Sequence, residues 1–150
     1  MTFNSVTITA VSDVLGNWTA NFPKFKAGGP YILKIVGKKE SNIYKNVLIG
    51  DVFFASGQSN MEHPMKGWEW IPNSSVENYL EEIKDTNYPE IRLFQVNKFP
   101  SPVKQEDLID GKWETASPES VSEFSSISWF FAKKLNTDLN IPIGIINCSW

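Results

Sequence analysis

One cysteine, Cys148, and one histidine, His63, are all that this 150-residue chain holds of either. A lone thiol excludes an internal disulfide and any cysteine-built metal site. Neither a cluster of metal-ligating side chains nor a Walker-type glycine loop occurs, so the sequence predicts no metal and no cofactor. A surplus of one charge is missing too: 14 basic and 17 acidic residues are interspersed, for a net charge of -3. Nucleic acid and anionic membranes need a basic stripe, and are not expected partners. Neutral polar ligands stay open. Long apolar runs are also absent. No stretch approaches the ~18 residues of a membrane span. The opening Met1-Thr-Phe-Asn-Ser-Val6 has no basic start leading into an apolar run, so no signal peptide is expected in this chain.

What is present is enough to build a core. Hydrophobic residues make up 41% of the chain and aromatics 13%, richer than a disordered segment. The length fits one ordinary domain, or a small domain with part of a larger one.

Period-2 alternation dominates the first 48 or so residues. Val6, Ile8 and Ala10 alternate with polar neighbours in Ser5–Ala10, and Trp18, Ala20 and Phe22 do so in 17–22. Such alternation predicts strands with one buried face. Turn residues at Asp13 to Gly16 and at Ala27-Gly-Gly-Pro30 punctuate the pattern. Further strands are expected at 31–36 and 43–48, around a polar turn at 38–42. Four short strands suggest an antiparallel sandwich or part of one.

From Val47 the pattern changes. The nearly all-apolar run Val52–Ala55 reads as a strand in a sheet covered on both faces. Asn73 or Ser74 can cap a helix whose apolar positions are Val76, Tyr79, Leu80 and Ile83. A strand at 91–96 follows, then a long Pro-rich loop at 99–122 around Trp113. A second helix at 126–139 carries Ile127, Phe130, Phe131, Leu135 and Leu139 toward the core, and a third apolar strand runs over 143–148. Strand, helix, strand, helix, strand predicts a parallel sheet with crossover helices. Ser59 and the segment Asn147-Cys-Ser-Trp150 both fall just past the C-terminal ends of such strands, the edge where open α/β sheets bind ligands.

The run Asp51-Val-Phe-Phe-Ala-Ser-Gly-Gln-Ser-Asn-Met61 carries the chemistry. It is an apolar strand breaking into small and amide-bearing residues around a serine. A serine hydroxyl is a weak nucleophile. It needs a base, usually an imidazole oriented by an acid, and donors aimed at the developing oxyanion. The backbone N–H at the turn, Gln58 and Asn60 are candidate donors to Ser59.

Val47-Leu-Ile-Gly-Asp-Val-Phe-Phe-Ala-Ser-Gly-Gln-Ser-Asn-Met61 resembles the nucleophile block of the sialate O-acetylesterase family, within the SGNH-hydrolase superfamily. Ala27-Gly-Gly-Pro-Tyr31, Ile91-Arg-Leu-Phe94, Phe124-Ser-Ser126 with Trp129-Phe-Phe-Ala132, and Ile141-Pro-Ile-Gly-Ile-Ile-Asn-Cys-Ser-Trp150 resemble further blocks of that family in the right order. The resemblance implies a metal-independent serine esterase that removes O-acetyl groups from carbohydrates, with Ser59 as nucleophile. It also implies a flavodoxin-like, three-layer α/β domain, incomplete here, preceded by a small antiparallel β-rich domain. The division expected is 1–46 for the β-rich domain and 47–150 for the first part of the esterase domain.

In the family a Gly-Gly pair follows the residue matching Trp150, and the catalytic His and Asp lie near the C-terminal end of the domain. The chain therefore reads as the N-terminal part of such an enzyme, inactive alone. It is expected to self-associate or to meet a chain that supplies the rest. The full-length protein is expected outside the cytoplasm. His63, four residues after Ser59, is expected to serve the substrate rim or the structure rather than act as base. Asp51 reads as a backbone cap, and Trp68, Trp70 and Trp113 as loop aromatics that pack on the sheet or stack on sugar rings. An acetylesterase for plant polysaccharide and a non-catalytic carbohydrate-binding module are the alternatives.

Overall fold

The computed structural model describes residues 1–84 and 86–150 as two units, Met1–Ile49 and Gly50–Trp150. In the first, β1 (Thr2–Phe3), β2 (Val6–Thr7), β3 (Gly28–Val36) and β4 (Ser41–Ile49) form one antiparallel sheet in the order β2-β1-β3-β4. Asn4 and Ser5 take positive φ to close the β1–β2 turn, and the Gly37 N–H donates to the Glu40 carbonyl to close β3–β4. Phe3 is buried among Phe22, Phe25 and Tyr31, with ring centroids 5.2–5.8 Å away.

The described residues of this unit form one sheet, and 17–22, expected as a strand, forms none. The Asp13 carboxylate accepts the Leu15 and Asn17 amides at 2.8 and 2.9 Å, folding the chain locally. Phe22 is then delivered to the Phe3 cluster by an irregular segment, which meets its alternation without a ladder. The strand expected at Ser5–Ala10 shrinks to Val6–Thr7.

The second unit is α/β. It comprises β5 (Asp51–Gly57), α1 (Ser59–Glu62), α2 (Tyr79–Lys84), β6 (Tyr88–Gln95), β7 (Trp113–Ala116), α3 (Pro118–Glu123), α4 (Ser126–Leu139) and β8 (Ile143–Ser149). The sheet order is β5-β8-β6-β7. β5, β8 and β6 are parallel, and β7 pairs antiparallel with β6. The strand bearing the Ser59 turn is thus at the sheet's edge. No helix among the described residues is long and apolar enough to cross a membrane.

One face of this sheet carries the core. Ile91, Leu93, Ile143 and Ile145 pack with Met65, Ile83, Val121, Phe124, Trp129 and Ala132. The other face is not covered by helices as the sequence had suggested: Val52 and Phe54 are 61% and 66% exposed. The reason is that the buried residues of α2, α3 and α4 all join the single cluster on the opposite face.

The helix expected from Asn73 or Ser74 begins only at Tyr79, because Asn78 sits in the left-handed region at φ 58° and Val76 is drawn away by a bond to the Met65 carbonyl. α4 matches its expected span, with Ser125 capping the Ser128 amide and Asn140 ending the helix at φ 51°. Its buried side differs. Ser128, Trp129 and Ala132 face inward, while Ile127, Phe130, Phe131 and Leu139 remain exposed. The buried Trp129 sets that rotation: its indole N–H donates to Glu82 at 3.0 Å and its ring meets Tyr88 edge-on at 5.5 Å. The expected long loop at 99–122 also contains structure, β7 and α3. Ser117 and Ser120 cap α3 reciprocally, with Pro118 in its first turn.

Candidate functional site

The C-terminal ends of β5, β6 and β8 gather the polar residues of the second unit. β5 finishes at Gly57, Gln58 occupies the cap position, and Ser59 opens α1. Gln58, Ser59 and Asn60 are all exposed, so the three residues singled out from the sequence share one accessible turn. The turn is fixed from two sides. The carbonyls of Gln58 and Ser59 accept the amides of Glu62 and His63 at 2.9 and 3.0 Å. Beneath, the Met61 sulfur accepts the Ser128 hydroxyl of α4 at 3.4 Å.

β8 reaches the same place. Gly57 is in register with Ser149, and the Trp150 N–H donates to the Gly57 carbonyl at 3.0 Å. The end of this strand is held by a partly buried hydrogen-bond network. Asn147 Nδ2 donates to Gln95 Oε1 at 2.9 Å, and the Ser149 hydroxyl donates to Asn147 Oδ1 at 2.9 Å. A buried amide without a partner would cost about 1–3 kcal/mol; here the buried Asn147 bonds the exposed Gln95, tying β6 to β8. Gln95 was missed from the sequence. Its signal was an amide closing an apolar strand at the level where Asn147 closes the next.

Against the end of α1 and the ends of β6 and β8 lies an open cavity of about 480 Å³, whose walls include Glu62, Trp68, Trp70, Asn97, Lys98 and Asn147. Trp68 and Trp70 stack, with centroids 6.0 Å apart and planes 23° from parallel. The His63 ring meets Trp68 edge-on at 4.7 Å. The loop carrying both indoles is tied at its base: the Trp68 N–H donates to Ser74 Oγ at 2.8 Å, and that hydroxyl donates to the Trp68 carbonyl at 3.2 Å. Gly67 makes the approach possible. At φ +77°, a Cβ there would lie 2.4 Å from the Ser75 nitrogen.

The lining charges are paired. Lys98 bonds Glu62, and Lys66 bridges Glu123 at 2.8 Å and Glu69 at 3.3 Å. The hydrogen bond to Glu123, and then that to Glu69, raise the Lys66 pKa above its ordinary value.

The remaining sequence candidates separate cleanly. His63 packs edge-on against Trp68, a residue of the cavity wall, without lining the cavity itself. Asp51 begins β5 and Ser59 lies beyond the strand's other end, about 20 Å away at ~3.3 Å per strand residue. Its amide, not its carboxylate, is the group seen bonded, to the Pro142 carbonyl. Trp113 belongs to β7 and packs on Phe94 at 5.3 Å, away from the cavity lining.

No family model matches the chain. It is 28% identical to the sialate O-acetylesterase of Mus musculus over 155 aligned residues, and 27% identical to that of Homo sapiens. Each alignment takes in 95% of the chain, and the chain spans only 27–28% of the length of these curated relatives. Among solved structures it is similar to a carbohydrate acetylesterase from Xanthomonas citri, with a TM-score of 0.89 and 34% identity, over 99% of this chain and 32% of that one. The resemblance to the sialate O-acetylesterases is borne out, and the α/β fold with a preceding antiparallel sheet accompanies it.

Proposed function

We propose that the chain carries the nucleophile-bearing part of a serine esterase that removes O-acetyl groups from carbohydrates. The observation that carries this reading is the exposed Ser59 at the β5–α1 turn, with the end of β8 hydrogen-bonded alongside. Similarity to proteins named for acetylester chemistry supports it.

In the proposed reaction the Ser59 hydroxyl attacks the acetyl carbonyl and passes its proton to a base. The tetrahedral oxyanion receives hydrogen bonds from the Ser59 N–H and from Gln58 or Asn60. The sugar oxygen then leaves with a proton, and water hydrolyses acetyl-Ser59 to acetate. We assign the base to an imidazole outside these 150 residues, because the His63 ring is packed edge-on against Trp68. Losing the base removes most of the rate a triad provides.

The test is incubation of the 150-residue chain with 4-nitrophenyl acetate, followed by peptide mass analysis. Slow acetylation at Ser59 is expected, with turnover accelerated by added imidazole above the level seen for Ser59→Ala. Equal acetylation and equal rates in the two proteins overturn the reading.

A further inference from the structure

Building on the esterase reading just given, we infer that the cavity at the ends of α1, β6 and β8 takes a neutral saccharide laid on the face of Trp70, and discriminates against anionic sugars such as sialic acids. Trp70 is 74% exposed, although its loop is tied down at Gly67 and Ser74. It is not a loosely hanging side chain, since it stacks on Trp68, which is propped in turn by His63. A flat indole held open in this way presents the apolar C–H face of a pyranose or furanose ring with a ready-made partner, at little ordering cost. Asn97 and the carboxylates of the same wall are within the cavity to meet the ring's hydroxyls.

The charge pattern then chooses among sugars. Three carboxylates (Glu62, Glu69 and Glu123) and two ammonium groups (Lys66 and Lys98) line the cavity, a net of -1. Both lysines are already engaged: Lys98 by Glu62, and Lys66 by Glu123 and Glu69 together. A sugar carboxylate entering here meets no unengaged cation among the described lining residues, and it approaches a surplus of negative charge. Like charges at close range disfavour binding and so discriminate between ligands. A neutral sugar meets neither obstacle. The inference therefore departs from the substrate that the names of the mammalian relatives suggest.

Titration calorimetry of the full 150-residue chain tests it, with xylotriose and cellotriose as neutral probes and N-acetylneuraminic acid as the anionic one. At least one neutral trisaccharide is expected to bind about tenfold more tightly than N-acetylneuraminic acid. Trp70→Ala should weaken that binding about fivefold and Trp70→Phe should restore most of it, as ring stacking requires. Trp18→Ala, in the other unit, should leave it unchanged. The double variant E69Q/E123Q releases Lys66 and should narrow the gap by strengthening N-acetylneuraminic acid.

Equal or tighter binding of N-acetylneuraminic acid by the native chain overturns the inference. So does neutral-sugar binding that survives Trp70→Ala, or is lost with Trp18→Ala instead. None of the probes carries an acetyl ester, so the two readings fail separately. Acetylation of Ser59 without saccharide binding overturns only the inference about the cavity. Saccharide binding without acetylation of Ser59 overturns only the esterase assignment.

Discussion

At the scale of single residues, small polar side chains decide local shape more than their neighbours' hydrophobicity does. Asp13 is the clearest instance. Its carboxylate accepts the backbone amides of Asn17 and Leu15, and these bonds hold its pKa below the ordinary aspartate value of 3.8. A lowered pKa means that the folded turn binds its proton less readily than the unfolded chain does. The turn's contribution is therefore full above the unfolded value and is lost as pH falls through the lower folded one. Amide hydrogen exchange at Leu15 and Asn17, referenced to unstructured peptide rates, should lose protection only below about pH 4, and Asp13→Ala should remove that pH step. The same competition explains why 17–22 looked like a strand. Its alternation was real, and Phe22 does bury against Phe3, but the turn at Asp13 and the absence of a neighbouring ladder left it irregular. Asn78 acts alike at the start of α2, where a left-handed residue truncates a helix that apolar spacing alone had made longer.

Elements were legible where length and composition agreed. β5, β8 and α4 were readable because a short apolar run, a preceding proline and a capped fourteen-residue amphipathic stretch each leave few alternatives. β7 and α3 were not, since four residues of strand and six of helix inside a polar stretch give too little period to detect. The rotation of α4 was misread for another reason: two exposed phenylalanines outweighed a tryptophan in any count of hydrophobicity. The two faces of the sheet make a sharp contrast that mutation can read. Ile145 is 1% exposed within the core, and Val52 is largely open on the other face of the neighbouring strand. Ile145→Ala should cost roughly 2–5 kcal/mol and Val52→Ala no more than about 0.5 kcal/mol, as measured by denaturant midpoints at constant slope.

For the whole molecule, the open sheet face and the outward side of α4 raise the question of solution behaviour. Val52, Phe54, Ile127, Phe130 and Phe131 are all exposed on the second unit. Apolar surface of this kind, beside an edge strand, favours association. Light scattering should rise with concentration faster than for a monomer, and Phe54→Lys should suppress the rise without altering the circular dichroism of the chain. A concentration-independent monomer in the native protein runs counter to that expectation. Of the candidate site, the sequence made the turn at 58–60 and its approach to 147–150 legible, because both lie past strand ends. It did not reveal the Gln95–Asn147–Ser149 network or the pairing of the cavity lysines. Those depend on which strands become neighbours, and β8 slots between β5 and β6 out of chain order.

That out-of-order insertion has a consequence for how the protein is made. Residues 51–57 find their ladder partner only in 143–149, some ninety positions later, and such distant closures are slow steps in folding. During synthesis the turn at 58–60 must wait, unanchored, until residues 143–149 have emerged from the ribosome. A nascent chain stalled before Ile143 should keep its 51–57 amides freely exchanging, however completely the hairpin of residues 28–49 has already formed.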